Sequence, residues 1–453
     1  MKKNNAIDMT HGALAGKILL FALPLMAANL AQLLFNAADV VVVGRFAGHT
    51  SLAAVSSTSC VIFLFVNLLI GISVGVNVVI ARYIGLGDHA REISRALHTA
   101  VTVAIVGGVL FAAVSLIAVR PMLELMSTPE DVLPLAEVYL KIYFLGTPFT
   151  MLYNYGTAAL RAKGDTRNPL VFMLVSGTVN IVLNLIFVIV CKLDVVGVGI
   201  ATVISQVVSG GMTMLCLMRA EDEVRFEWNK LCLDWDSLAA MARIGIPSGV
   251  QACLFSLSNV VIQGAINSYG SVVIAGVGAA ESIEGFLYTS MNAFHQACQT
   301  FVSQNLGAKA YDRVNRIVRL CLLDTLVLGI VQSLAVCIFS RPLIGIYNTD
   351  PAVIQAGSIR LWYVALIYVI FGLADVLVGA IRGCGMPMVP MMINLLGTCV
   401  LRLIWVSLLD TSRVGVEVVY LSYPVSWMVI LAAIAAFWLY VRRRGFDRIK
   451  TTI

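Results

Sequence analysis

Charge is scarce in this 453-residue chain: 12% of the residues are Asp, Glu, Lys or Arg, whereas 59% are hydrophobic and the mean hydropathy is +0.91. Soluble domains carry about 25% charged residues, so the composition excludes a soluble globular class. It predicts an integral membrane protein whose organising unit is the spanning helix. The expected partners are therefore the lipid bilayer and small molecules, not nucleic acid.

Motifs of soluble chemistry are also missing. The ten cysteines lie mostly in apolar runs, form no CxxC pair and have no His/Cys spacing typical of zinc. The glycine turns (IGLGD, RAKGD, QNLGAK, IRGCG) do not match the nucleotide-binding loop that ends in Gly-Lys-Ser/Thr. ATP-driven transport is therefore not supported. We predict no enzyme, no cofactor and no dedicated metal centre.

Twelve apolar runs are long enough to cross a membrane, which takes about 20 residues. The first continues beyond the length of a signal-peptide core and is expected to remain a helix. The runs lie near residues 17–43, 52–80, 96–119, 135–160, 169–191, 195–218, 240–266, 271–303, 315–340, 355–381, 388–409 and 415–441.

Basic residues orient these spans. With the N-terminus in the cytoplasm, 23 of the 31 lysines and arginines fall on the cytoplasmic side and 7 on the opposite side. This bias fits the positive-inside rule and predicts that both termini are cytoplasmic. The longest polar stretch then divides the chain into an N-terminal lobe (1–218), a linker (219–239), a C-terminal lobe (240–441) and a basic tail (442–453).

The two halves repeat each other. LRAKGDTRNP at 160–169 matches IRGCGMPMVP at 381–390 with a shift of 221, and Arg120-Pro121 matches Arg341-Pro342 with the same shift. Six spans per copy is an even number, so both copies enter the membrane in the same sense. The predicted fold is all-α: twelve helices in two parallel six-helix lobes, related by a pseudo-two-fold axis along the membrane normal, with a central cleft. A duplicated bundle without a cavity is the alternative.

A polar stripe runs along the first span. Asn29, Gln32, Asn36 and Asp39 fall within about 80° on a helix, and Asp39 lies about 22 Å beyond Pro24. Unpaired polar atoms are costly in hydrocarbon, so this face must contact protein or water. A helix–helix seam would explain the amides, whereas for Asp39 we favour a functional role. Pro24 matches Pro247 with a shift of 223, and the same shift places Asp39 opposite Ile262, which is not acidic.

Other spans carry polar faces as well. Asn180 and Asn184 are one turn apart in the fifth span, and Thr202 begins the sixth. Arg402, the basic residue predicted deep in a span, is expected to neutralise Glu281 or Glu284, either as a structural pair or in transport. The candidate cavity residues are Asn36, Asn154, Ser256, Asn259, Gln263, Glu281, Glu284, Tyr288, Asp375 and Arg402.

Several of these segments carry a family likeness. Pro24, Asp39 with VVVGR after it, ALRAKGDT at 159–166 and TFVSQNLGAK at 300–309 resemble the multidrug and toxic compound extrusion (MATE) family. The likeness runs from about residue 12 to residue 440. It implies an antiporter that expels organic cations and other drug-like compounds in exchange for protons or sodium ions.

The resemblance also implies roles for single residues. Asp39 maps onto the central cation or proton site, which Asn180, Asn184 and Thr202 would complete. Some members have an acid where this chain has Asn184, so a proton is expected at Asp39 first and sodium, held by Asp39, Asn180 and Asn184, second. Other members place an acid in the seventh span, where Ser256 has no acidic neighbour. Glu284 would then replace it, and Asp375 lies about one turn after the usual acid of the tenth span.

The sequence thus predicts a cation-coupled (H⁺ or Na⁺) multidrug antiporter that works by rocker-switch alternating access. It is expected to be a multi-pass monomer in a bacterial plasma membrane, exporting small organic cations. Two alternatives remain: a lipid-linked oligosaccharide flippase of the same superfamily, which should line its cavity with basic residues, and a membrane sensor without transport.

Overall fold

The computed structural model describes residues 6–46, 48–87, 89–126, 128–130, 132–408 and 414–446. The secondary structure in these ranges is helical, and they contain no strand. Eleven helical segments there are long and apolar enough to cross a membrane by length and composition. The predicted all-α membrane class is confirmed. Residues 447–453 of the predicted basic tail lie outside the described residues.

The first six predicted spans correspond to seven helices. These are α1 (Leu14–Phe46), α2 (Gly48–Leu86), α3 (Ala90–Leu125), α4 (Leu133–Leu145), α5 (Thr147–Lys163), α6 (Arg167–Leu185), which continues as a π-helix at Ile186–Val190, and α7 (Asp194–Met218).

The other six spans correspond to ten helices. These are α8 (Trp235–Asn267), α9 (Ser271–Gly307), α10 (Tyr311–Ile338), α11 (Ser340–Gly345), α12 (Pro351–Val364), α13 (Tyr368–Gly383), α14 (Met388–Asn394), α15 (Leu401–Ser407), α16 (Val416–Tyr420) and α17 (Ser422–Arg444). A 3₁₀ turn joins α12 to α13, and a π-helical turn joins α14 to α15.

Many helices extend beyond the apolar runs from which they were predicted. The 36 residues of α3 span about 54 Å, whereas the hydrocarbon core is about 30 Å thick. The helix ends therefore reach into the polar region, where charged residues are tolerated. Hydropathy alone marks only the part of each helix inside the hydrocarbon.

The fourth span is broken, although the sequence predicted one continuous run at 135–160. Helix α4 ends at Leu145 and α5 begins at Thr147, with Gly146 between them. Pro148 in the first turn of α5 explains the break, because proline lacks an N–H and its ring clashes with the preceding turn. A Cβ at Gly146 would also collide with the Gln206 side chain of α7.

The chain divides into two compact units, Met1–Asp8 with Ala27–Ala242 and Met9–Met26 with Arg243–Ile453. The division passes through α1 two residues after Pro24. In the first unit, Phe65 packs edge-on against Phe111 and Phe144, with ring centroids 4.8 and 5.3 Å away. In the second, Phe21 packs edge-on against Phe301 at 5.5 Å.

The predicted linker docks on the end of α3. Glu227 N–H donates to His98 Nε2 at 3.1 Å, and the Phe226 ring stacks on the same imidazole at 5.0 Å. Thr102 Oγ1 donates to the carbonyl of Cys232 at 3.0 Å. This segment is therefore held by the first unit.

The sequence repeat reappears as a repeated helix end. After α5, the N–H groups of Gly164 and Asp165 donate to the carbonyls of Arg161 and Leu160, at 2.9 Å each. After α13, the matching residues Gly385 and Met386 donate to the carbonyls of Arg382 and Ile381, at 2.8 and 3.2 Å. Gly164 and Gly385 are left-handed, with φ of +102° and +83°. Both turns are Schellman caps, which explains why glycine stands at both positions.

Candidate functional site

In the first unit, Asp39 of α1 meets two amides of α6. Asn184 Nδ2 donates to Asp39 Oδ1 at 2.6 Å. Asn180 lies one turn earlier on the same face and is 6% exposed, while Asn184 is fully buried. The one-turn spacing in α6 therefore brings both amides to the single carboxylate, as the resemblance implied.

The Asn180 amide also meets Asp39. Its nitrogen donates to Asp39 Oδ1 at 2.7 Å and lies 3.2 Å from Oδ2. Asn180 and Asn184 therefore both donate to the same carboxylate, and both are neutral groups.

An unpaired acceptor completes this group. Asn184 Oδ1 is buried and has no hydrogen-bond partner among the described residues. Buried acceptors without partners are rare in folded proteins. The Asp39 carboxylate and this amide oxygen are ligands of the hard oxygen type that metal cations such as sodium take.

Three other predicted residues of this half form no hydrogen bond with Asp39 in the described part of the chain. Thr202 Oγ1 donates to the Val198 carbonyl of its own helix at 2.9 Å, which uses its hydroxyl proton locally. Asn36 lies one turn before Asp39 on α1 and is exposed. Asn154, at the repeat position of Asp375, donates to the Thr150 carbonyl at 2.9 Å.

The second unit contains a buried ion-pair cluster. Arg360 of α12 is 1% exposed, and its Nε and Nη2 donate to Glu284 Oε1 and Oε2 at 3.0 and 3.1 Å. Arg360 Nη2 also lies 3.1 Å from Glu281 Oε1. Glu284 is buried, whereas the Glu281 side chain is 46% exposed. Two carboxylates thus share one guanidinium.

This cluster corrects two predictions. Arg360 is one of the 7 basic residues that the charge bias places on the side opposite the cytoplasm, and Arg402 is the residue predicted to neutralise Glu281 or Glu284. Arg360 takes that role instead. The reason is geometric: Arg360 lies nine residues into α12, and that helix packs along α9. Arg402 donates through Nε to Ser426 Oγ at 2.9 Å and lies over the Tyr423 ring at 4.3 Å.

Asp375 of α13 has its own partners on α9. His295 Nδ1 lies 3.1 Å from Asp375 Oδ1, and Asn292 Nδ2 donates to Oδ2 at 3.2 Å. The two helices can approach closely because Gly379 has no side chain. A Cβ at this position would lie 2.6 Å from the His295 carbonyl oxygen. Tyr288, one turn before Asn292 on α9, is 40% exposed.

In the described part of the chain, the predicted residues of α8 form no hydrogen bond with these acids. Ser256 donates to the Ala252 carbonyl of its own helix at 3.3 Å, and Gln263 donates to Asn267 Oδ1 at 2.9 Å. Asn259 Oδ1 is buried with no partner among the described residues.

Four residues that contact these charged side chains were not predicted from the sequence. They are Arg360, Asn292, Tyr423 and Trp427, whose ring lies 5.9 Å from the Arg402 guanidinium. A signal for Arg360 existed, because it falls inside the predicted tenth span (355–381), where an arginine is expensive. Asn292 lies one turn after Tyr288 on the predicted polar face of α9. The aromatic residues carried no signal, since rings are common throughout membrane spans.

The chain resembles known transporters over nearly its full length. It is 26% identical over 433 residues to the "Probable multidrug resistance protein YoeA" of Bacillus subtilis, covering 94% of this chain and 93% of that protein. It is 28% identical to the "FAD transporter" of Shewanella oneidensis, covering 98% of each. The crystal structure of a mutant of the Vibrio cholerae MATE transporter VcmN superposes with a TM-score of 0.88 at 22% identity, covering 95% of this chain and 98% of that one.

The family model described as MatE matches the chain twice, at residues 24–186 and 247–407. The two matches end at residues 186 and 407, a shift of 221, which is also the shift of the internal repeat. The twelve-helix, two-lobe fold is that of MATE transporters. With the family model covering more than half of its residues, the chain belongs to the MatE family of membrane transporters.

Proposed function

We propose that this protein is a cation-coupled exporter of small organic compounds, with Asp39 as the group that exchanges the coupling ion. The observation that carries the proposal is the contact set of Asp39, which consists of two neutral amides. In the described part of the chain, no lysine, arginine or histidine forms an ion pair with it. A partly buried carboxylate inside a membrane span that has no fixed cation is neutralised by a mobile one, a proton or a metal ion.

A proton is the favoured coupling ion. Only one carboxylate is present in the group, since Asn184 stands where a second acid would strengthen sodium binding. Because both amide partners of Asp39 are neutral, a proton on the carboxylate leaves no charged group without its partner. Sodium remains the second candidate because Asn184 Oδ1 is free to act as a ligand.

The proposed substrates are drug-like organic cations. Relatives named multidrug resistance proteins support export of structurally varied compounds. In the second unit, the half-exposed carboxylate of Glu281 and the exposed ring of Tyr288, two turns later on the same face of α9, offer an acidic and an aromatic group. Because one relative is named an FAD transporter, flavins belong in the substrate panel.

The proposed cycle is alternating access by rocking of the two six-helix lobes. Ion binding at Asp39 would change the packing of α1 and release the substrate outward. We place the protein in a bacterial inner membrane as a monomer, with both termini in the cytoplasm. The bias of basic residues supports this orientation.

Purified protein in proteoliposomes tests the coupling. A fluorescent organic cation is followed while a pH gradient, then a sodium gradient, is imposed. We expect the pH gradient to drive movement of the dye against its own concentration, with none in empty liposomes or after an ionophore dissipates the gradient. Dye movement that follows neither gradient would overturn cation coupling.

A further inference from the structure

Unpaired hydrogen-bond donors gather around Arg402 in the second unit. Arg402 is 1% exposed, and its Nη1 and Nη2 have no hydrogen-bond partner among the described residues. Trp427, 2% exposed, contacts the Arg402 guanidinium through its ring at 5.9 Å, and its Nε1 is also unpaired. These three nitrogens act only as donors. Such a group is completed by an acceptor, most effectively an anion.

Among the described residues of this unit, no acid forms an ion pair with Arg402. Glu284 and Glu281 bind Arg360, while Asp375 binds His295 and Asn292. The described contacts of Arg402 are the Ser426 hydroxyl and two aromatic rings. A buried guanidinium without a carboxylate partner is costly. The presence of Arg402 at this position therefore points to an acidic ligand that is not part of the protein.

Aromatic rings connect Arg402 to an exposed part of the unit. The Tyr423 ring lies 4.3 Å from the Arg402 guanidinium and 5.2 Å from that of Arg360. Phe371 contacts Trp427 at 5.4 Å and Tyr288 at 5.8 Å, and Tyr288 is exposed. These rings form a continuous wall of the kind on which a flat aromatic ligand stacks.

We propose that Arg402 and Trp427 form a subsite for the acidic group, carboxylate or phosphate, of an aromatic organic ligand whose rings pack against Phe371 and Tyr288. The proposal rests on the proposed function, because it names a class of substrate for the same transporter. It adds acidic and zwitterionic aromatic compounds to the expected cations. The forked guanidinium matches the two oxygens of either acidic group.

Binding to the purified full-length protein, measured by isothermal titration calorimetry, tests the subsite. Two matched pairs of probes differ only in the acidic group: a rhodamine with a free carboxylate and its methyl ester, and flavin mononucleotide and riboflavin. We expect the acidic member of at least one pair to bind at least about tenfold more tightly, as a charge-assisted hydrogen-bond pair predicts. The pair that discriminates identifies carboxylate or phosphate.

The variant Arg402→Gln should weaken binding of the acidic probe at least about tenfold and leave the neutralised probe unchanged. Arg120→Gln, at an exposed site, is the matched control and should alter neither. Equal affinity of both members of both pairs, or an equal loss of both in Arg402→Gln, would overturn the subsite, since water filling the group or a purely structural arginine predicts such results.

If Arg402→Gln does not fold, Trp427→Phe decides, because it removes one N–H and keeps a ring. Selective weakening of the acidic probe supports the subsite; no change or equal weakening overturns it. The two proposals also fail separately. A protein that binds the acidic probe but transports nothing refutes only the exporter, whereas one that exports the ester without binding either acidic probe refutes only the subsite.

Discussion

The two halves of the chain hold their buried and partly buried acids in different ways. In the first unit, the hydrogen-bond partners of Asp39 among the described residues are the amides of Asn180 and Asn184. In the second, Glu284 is fixed by two nitrogens of Arg360, and Asp375 lies against His295. The shared repeat therefore carries different electrostatics, although the helix ends at Gly164 and Gly385 are built alike.

This difference indicates which carboxylate can exchange a coupling ion and which is held in a permanent ion pair. Protonating Glu284 would leave the Arg360 charge buried without its main partner, which is expensive. Protonating Asp39 leaves no such charge, because its hydrogen-bond partners are neutral. We therefore infer that ion exchange belongs to the first unit, while Arg360 chiefly fixes the packing of α12 on α9.

The largest expected effect concerns Arg360. Arg360→Leu strands the buried Glu284 carboxylate and should lower the free energy of unfolding by about 3 kcal/mol, measured by denaturation in detergent. Asp39→Asn keeps shape and hydrogen bonding and should change it by less than about 1 kcal/mol.

A double variant sharpens this contrast. Replacing Arg360 and Glu284 together by leucine removes both charges, and most of the lost stability should return. If Asp39→Asn proves as destabilising as Arg360→Leu, the two acids are equally fixed and the contrast fails.

A second carboxylate should shift the coupling ion. In Asn184→Asp two acidic groups lie within hydrogen-bond distance, so sodium affinity should rise about tenfold, equivalent to about 1.4 kcal/mol. The measurement is sodium-stimulated export at constant pH, with Asn154→Asp as the matched control. Unchanged sodium dependence would mean that Asn184 does not face the ion.

The smallest effect is expected at Thr202. Its hydroxyl donates to Val198 of its own helix, so Thr202→Val should change export by less than about twofold, as for a side chain outside the site. Vesicle transport under a pH gradient checks this. A loss as large as that of Asp39→Asn would place Thr202 among the ligands, as the family resemblance implied.

The sequence identified features with local causes. Hydropathy located the spans, the matching glycines marked two Schellman turns, and the one-turn spacing of Asn180 and Asn184 placed both amides on the face that meets Asp39. Each of these depends on helical periodicity or on a backbone conformation that only a few residues adopt.

The sequence did not reveal features that depend on which face of one helix packs against another helix. Arg360 and Glu284 are 76 residues apart, and no local pattern pairs them rather than Arg402 with Glu284. The break at Gly146 was missed because the run remains apolar through it; Pro148 was the available signal. The donor group around Arg402 emerged only once the partners of every acid were known.

Substrate-evoked proton movement in Asp39→Asn tests the central claim most directly. Sodium-free proteoliposomes containing a pH-sensitive dye receive a transported organic cation on one side. In the wild type, entry of the substrate should drive protons in the opposite direction, and Asp324→Asn, an equivalent change in α10, should do the same. Asp39→Asn should insert and bind substrate but move no protons. Wild-type proton movement in Asp39→Asn would contradict the account.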